Sequence, residues 1–367
     1  MIPLFKVVID SNVVENIRQV MDSGYIGQGT KVVEFEQALK PWLGDNVLSL
    51  NSGTSALHLA LRLANVGDGD EVISTPMTCT ATNMPILERG AKIVWADIDP
   101  WTGNISAEDI RKKITSKTKA LMCVHWGGYP CDMHELSKIS QEYNIPVIQD
   151  AAHAFGATYG GLNISQYSAF TCFSFQAIKH LTCVDGGALI CKDSLKYQRG
   201  KLLRWYGIDR ESNRKDFRCE ENISEYGYKF HMNDINATIG INQLKYIDGI
   251  LDAHRKNASY YTEHLAGLKK TKLLKCNNVD NSGSYWLYTI RVDNVPVFMD
   301  WMKSHEIIVS QVHARNDTHN AFGGMQVQLK GVDEFCQHQV SIPVGSWLTK
   351  KDLEYIVDTI IKYEDAL

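Results

Sequence analysis

No stretch of about 18 apolar residues occurs in the 367-residue chain, so none of it reads as a helix that crosses a membrane. The first residues, Met1 to Asp10, lack both the charged start and the long apolar core of a secretory leader. There is no Cys-x-x-Cys pair. The nine cysteines are scattered singly, without metal-ligand spacing, and read as buried, reduced thiols of a cytoplasmic protein with no metal site. Basic residues are not in excess: 38 Lys+Arg against 42 Asp+Glu gives −4, which leaves no electrostatic footprint for nucleic acid. Internal repeats and Pro/Gly/Ser-rich linkers are also missing. What remains, 44% hydrophobic, 22% charged and 10% aromatic, is an ordinary globular composition that excludes collagen-like and disordered chains. The length suits two domains, or one large domain with an appendage.

The first two-thirds alternates short apolar runs with amphipathic stretches. Val47 to Leu50, Glu71 to Thr75, Lys92 to Ile98, Lys119 to His125 and Pro146 to Asp150 read as strands. Between them Ser55 to Ala64, Ala81 to Glu88, Ala107 to Ile114 and Met133 to Tyr143 read as helices. This rhythm predicts an α/β fold with a mostly parallel sheet covered on both faces, whose ligands sit in loops at the carboxyl ends of the strands. Further strands are expected at Ala169 to Phe175 and Gly187 to Cys191, then one long helix over Asp234 to Leu265. Beyond it lie a strand (Tyr285 to Val292), a helix (Pro296 to His305, with Pro296 at its first position), a strand (Ile307 to Val312) and a last helix (Lys350 to Ile361). The pattern divides the chain into a large domain, 1–245, and a smaller α+β domain, 246–367, hinged on the long helix.

Three constellations carry chemistry. Asn51-Ser52-Gly53-Thr54-Ser55 joins a strand to a helix; its amides and hydroxyls suit a phosphate, and equally a plain helix cap. Asp150 closes an apolar strand ahead of Ala151-Ala152-His153; it is a carboxylate where a βα site belongs, or a turn-forming Asp. Lys179 stands between Phe173-Ser174-Phe175 and Gly186-Gly187, either as an amine able to form a Schiff base or as a surface lysine. A phosphate cradle, a carboxylate and a lysine 29 residues beyond it are together the groups that pyridoxal phosphate requires.

In this order the motifs resemble the DegT/DnrJ/EryC/StrS family of pyridoxal-phosphate nucleotide-sugar aminotransferases. The resemblance runs nearly end to end. It includes Gly24-Tyr25-Ile26-Gly27-Gln28-Gly29, the Asn51 and Asp150 motifs, Val124-His125-Trp126-Gly127-Gly128-Tyr129-Pro130, Phe173 through Lys179, Met232-Asn233-Asp234 and Ile342-Pro343-Val344-Gly345. It implies the aspartate aminotransferase (type I) fold, with pyridoxal 5′-phosphate as cofactor and pyridoxamine phosphate as its alternate form. Lys179 would form the Schiff base and move the proton, and Asp150 would pair with the pyridinium nitrogen. His153 would face the ring or its hydroxyl, while Gly53, Thr54 and Ser174 would hold the phosphate. Lys229 falls where many members place an Asn that reaches the neighbouring subunit's phosphate, which implies a homodimer with shared sites.

The activity so implied moves an amino group from glutamate, which leaves as 2-oxoglutarate, to a nucleotide-linked keto-deoxysugar. The expected position is C4 of a 4-keto-6-deoxyhexose, on the way to surface glycans. Amination at C3 or of a keto sugar acid shares every motif. A sugar 3-dehydratase would carry histidine at the lysine position, and a non-catalytic binding protein would have lost the lysine or the carboxylate. His313, Arg315 and Asn316 are candidate substrate contacts, or part of a solvated loop. Arg204-Trp205-Tyr206-Gly207 supplies a charge and an aromatic face, or simply packs. One departure stands out: Cys79 occupies the place of an aromatic that stacks on the cofactor ring in relatives, and a thiol cannot stack that way.

Overall fold

The computed structural model describes residues 1–211, 222–275 and 282–366. Short apolar-rich runs, mostly buried except on the edge strand β3, form the strands β1 (Val47–Leu50), β2 (Glu71–Ser74), β3 (Lys92–Trp95), β4 (Thr118–Val124) and β5 (Val147–Asp150). A two-stranded ribbon, β6 (Thr158–Tyr159) and β7 (Leu162–Asn163), precedes β8 (Phe170–Ser174) and β9 (Gly187–Cys191). Seven of these make one sheet in the order β1-β9-β8-β5-β4-β2-β3, in which only β9 runs against the rest. The expected α/β sheet is present.

Alternation along the strands sends side chains to two cores. Leu121 and Cys123 of β4 join Phe35, Leu39, Leu136 and Ile139 on one face. Ala120 and Met122 join Ala56, Leu59, Ala60 and Leu63 of the Gly53–Leu63 helix on the other. A third core forms around a small antiparallel sheet, β10 (Lys272–Leu273), β11 (Tyr288–Arg291) and β12 (Gln339–Ile342). A fourth cluster, with Met77, Trp126, Trp286 and Phe335, lies between the first two-thirds of the chain and the remainder.

Three expectations are revised. The single long helix is two, Asp234–Leu244 and Ile247–Leu265, because Lys245 and Tyr246 bond three residues back, to Asn242 and Gln243, and tighten the turn. Ile247 and Leu251 of the second helix enter the first core, whereas Ala258, Tyr261 and Leu265 enter the third. Ile307 to Val312 makes only single bridges, Ile2 with Ile307 and Ser310 with Ser341, and ends at Val312 with φ 64°. Pro296 stands second rather than first in the Val295–Ser304 helix, which Asn294 caps by accepting from the Val297 N–H at 3.2 Å. Two N-terminal helices, Val13–Ser23 and Thr30–Leu43, also pack on the fold without having been anticipated. Among the described residues no helix is long and apolar enough to cross a membrane.

Candidate active site

The carboxyl ends of β1, β2, β5 and β8 open on one side of the sheet. There a cavity of about 450 Å³ is lined by Gly53, Thr54, Asp150, His153, Ser174 and Lys179, all six predicted from sequence. Ser52 caps the Gly53–Leu63 helix by accepting from the Ser55 N–H at 3.0 Å, so the first amides of that helix face the cavity. Ser52 thus acts as the cap while Gly53 serves another purpose. A Cβ on Gly53 would lie 2.9 Å from the Ser174 Cβ, and one on Gly187 would lie 2.5 Å from the Gly53 nitrogen. The loop can sit against β8 and β9 only without side chains at these two positions.

Asp150 is the last residue of β5 and is 5% exposed. Its Oδ2 accepts from the Thr82 hydroxyl at 2.7 Å and its Oδ1 from the Ala152 N–H at 3.0 Å. Thr82, having donated its proton, receives one from the Thr78 hydroxyl 2.7 Å away. Burial raises the Asp150 carboxyl above the ordinary range, against the pull of Thr82, Ala152, Lys179 and His125. Thr82 and Thr78 are not among the residues expected from sequence, although both lie within three residues of Cys79.

Lys179 is half-buried, and its remaining surface faces the cavity. Burial lowers its amine from the usual lysine range to about 7, although Asp150 and Cys79 both favour the ammonium form. The Nζ lies 3.4 Å from the centroid of the Trp286 ring. The neighbouring His180 points elsewhere: its Nε2 donates to the Ser284 carbonyl at 2.9 Å and its ring meets His254 edge-on. The lysine therefore occupies the cavity and the histidine does not.

His153 is 3% exposed and stacks on Trp286 at 3.9 Å and 24°; its Nδ1 is buried with no partner. Burial, reinforced by Lys179 and His313, pushes its imidazole well below the ordinary range, so the ring is neutral. His313 also lines the cavity, with its ring parallel to that of His153 at 5.6 Å and 5°. Burial takes its imidazole down to about 4.

The structure does not bring Arg315 and Asn316 to the cavity. Arg315 is committed to Asp317, at 2.6 Å, and to Asp333. Asn316 is fully buried; its amide donates to the Thr78 carbonyl at 2.8 Å and its oxygen accepts from Asn83 at 2.8 Å. Lys229 is exposed beside the Asn51 motif, where its carbonyl accepts from the Asn51 amide at 3.2 Å, and it lies outside this cavity. Arg204 packs, buried against Glu36 and the Ser49 carbonyl. Cys79 is exposed and lines the cavity, contrary to the expectation of buried thiols, and the aromatic rings that line the cavity with it include Phe5, Phe173 and Trp286. Cys219 and Cys276 lie outside the described residues. Among the described residues no group of three His, Cys, Asp or Glu could hold a metal.

Comparisons with known proteins bear on the fold and the family. The crystal structure of AtS13 from Actinomadura melliaura superposes with a TM-score of 0.95 at 42% identity, over 99% of this chain and 98% of that one. The sugar aminotransferase CalS13 from Micromonospora echinospora superposes with a TM-score of 0.94 at 37% identity, over 99% and 100%. The spore coat polysaccharide biosynthesis protein SpsC of Bacillus subtilis is 27% identical over 95% of this chain and 93% of its own length. Residues 7–361 match the profile of the DegT/DnrJ/EryC1/StrS aminotransferase family. With the sheet order, the cavity at its carboxyl edge and these whole-chain likenesses in place, the chain belongs to the DegT/DnrJ/EryC1/StrS aminotransferase family and has the type I aminotransferase fold.

Proposed function

We propose that this aminotransferase moves an amino group from glutamate to a nucleotide-linked keto-deoxysugar, at C4 of a 4-keto-6-deoxyhexose. Its cofactor in this reading is pyridoxal 5′-phosphate, and the setting is amino-sugar synthesis for a glycan, in line with the likeness to a sugar aminotransferase, CalS13, and to a spore coat polysaccharide biosynthesis protein, SpsC. The observation that carries the reading is one cavity holding an amine lowered to about 7, a buried carboxylate and a glycine cradle at a helix N-terminus. That donor set fits the cofactor: the cradle is closed to any side chain, and the buried Nδ1 of His153 has no protein partner.

Once bound, pyridoxal phosphate supplies an aldehyde that exchanges amino groups and a ring that takes up electrons. The protein's own groups do the rest. The helix amides at Gly53 and Thr54 and the Ser174 hydroxyl hold the phosphate. Asp150, kept in place by Thr82 and Ala152, holds a proton at the ring nitrogen. His153, which lines the cavity, would face the ring or its hydroxyl. The Lys179 amine, which lines the cavity, would hold the cofactor and would hold or move a proton at its Nζ. Lys229, exposed beside the Asn51 motif, reaches the phosphate in the other subunit of a homodimer as a point charge. The same reading takes 1–245 as the cofactor-binding domain and 246–367 as the smaller one.

An absorbance titration tests this in three additions. Pyridoxal phosphate should give the shifted band of a lysine-bound cofactor, glutamate should bleach it, and one nucleotide keto-sugar from a panel should restore it. Bleaching without restoration by any 4-keto sugar removes the substrate assignment. The absence of a shifted band removes the role given to Lys179.

A further inference from the structure

Ser284, Tyr285 and Trp286 are held more tightly than a connection before a strand requires. The Ser284 N–H donates to the Gly128 carbonyl at 3.1 Å and its hydroxyl to the His153 carbonyl at 2.8 Å. His180 donates to the Ser284 carbonyl at 2.9 Å, and the His254 Nδ1 meets the Tyr285 carbonyl at 2.8 Å. Leu287 then bonds the Gly127 carbonyl at 3.1 Å. Between these anchors Tyr285 adopts φ 52°, a left-handed conformation that a bulky side chain avoids unless its surroundings impose it.

The outcome of that turn is the placement of Trp286. Its Nε1 donates to the Ile178 carbonyl at 2.8 Å, gripping the residue before Lys179, and its ring lies 3.4 Å from the Lys179 Nζ. Phe5, at 4.9 Å, and His153, at 3.9 Å, both stack on the indole, which is 4% exposed. A lysine amine swings on a four-carbon stem, and an aromatic face in a desolvated site is one of the few neutral groups that attracts it.

We infer that Trp286 is a positioning residue for Lys179: the indole grips the backbone on one side of the lysine and holds its amine, aiming Nζ at the aldehyde it must capture. This rests on the reading of Lys179 as the covalent amine. It adds that the strained turn at Tyr285, more than 100 residues away in sequence, sets where that amine stands. The rival role for Trp286 is to fill the cluster with Met77, Trp126 and Phe335, which would shape the cavity without regard to the lysine.

Two ligands separate these roles, because pyridoxal phosphate bonds to Lys179 and pyridoxamine phosphate cannot. With Trp286→Leu we expect affinity for pyridoxal phosphate to fall about tenfold, and affinity for pyridoxamine phosphate to change less than about twofold. Trp286→Phe, which keeps an aromatic face, should recover most of the loss. Equal losses for both ligands, or no loss for either, overturn the inference. Should Trp286→Leu fail to fold, fluorinated tryptophan incorporated in its place weakens the ring's negative face at constant shape. Pyridoxal phosphate affinity should then drop stepwise with fluorine number while pyridoxamine phosphate stays level; a flat response for both overturns the inference. The parent's own band shift with pyridoxal phosphate, abolished in Lys179→Ala, tests the underlying reading separately, and its absence from the parent sinks both.

Discussion

The cavity has two walls of different construction. One comes from loops at the carboxyl ends of β1, β5 and β8, and carries Gly53, Thr54, Asp150, His153, Ser174 and Lys179. The other comes from Trp286, Ser310, Val312 and His313, far along the chain. The first wall is built on devices at strand ends, namely a serine cap and a strand-end carboxylate, together with a glycine that lets the loop after β1 touch β8 and β9. The second is assembled from contacts that close loops of more than 100 residues, such as Ser284 with His153 and Asn316 with Asn83. In the proposed reaction the reacting groups belong to the local wall, whereas the indole beside Lys179 and the imidazole parallel to His153 come from the distant one.

Removing the lysine should separate the walls most sharply. On the proposed reading, Lys179→Ala takes away both the covalent hold and the proton carrier while leaving Trp286 and His313 in place. We expect glutamate-dependent turnover to fall by on the order of a thousandfold or more, followed by single-turnover absorbance. A variant that turns over at the parent rate would mean that the first wall is not where the chemistry lies.

Thr82→Val keeps shape and removes one hydrogen bond from the Asp150 carboxylate. Charge-assisted bonds contribute about 1.5–3 kcal/mol, so cofactor affinity should fall roughly ten- to a hundredfold, with recovery in Thr82→Ser. Equilibrium binding monitored by absorbance gives the answer, and unchanged affinity would show that Asp150 needs no support from this helix.

The acidity of the amine gives a smaller effect. With burial holding Lys179 at about 7, the neutral amine that attacks an aldehyde accumulates as pH rises through that value. The rate of pyridoxal phosphate capture should therefore increase about tenfold between pH 6 and pH 8 and then level off. A rate still climbing toward pH 10 would place the amine in an ordinary solvated setting.

The second wall is probed most gently through its support. Arg315→Ala leaves Asp317, which is 1% exposed, without its cation. Losing one partner of a buried pair costs about 3–5 kcal/mol, so the melting temperature should drop clearly. The rate of cofactor capture at 25 °C should change less than about threefold. A large loss of substrate affinity at unchanged stability would instead restore Arg315 to the substrate-contact role that sequence reading gave it.

These contrasts follow how legible each part was in the sequence. Of the strands of the first wall, β1 and β5 are buried runs rich in Val, Ile or Leu and β8 is a largely buried Phe-Thr-Cys-Phe-Ser run, each giving way to polar residues, so both the sheet and its functional edge could be read. Trp286 sits in a run that looks like any strand, and nothing nearby signals that Tyr285 turns left-handed and delivers the indole to a lysine. Asn316 and Arg315 illustrate the opposite error: polar residues in a loop look available for ligands, yet here both side chains are spent on buried partners. The helix break at Lys245 was invisible because apolar spacing continues across it.

The sequence by itself determined the alternating α/β order and the succession of glycine, carboxylate and lysine motifs along it, because strand and helix periodicity depends on neighbours a few residues away and side-chain chemistry on no fold at all. Tertiary structure alone decided that Thr82 braces Asp150, that His180 turns from the cavity and that Trp286 meets the amine. Those are matters of distance between segments far apart in the chain, and such distances are fixed only when the separate cores close on one another.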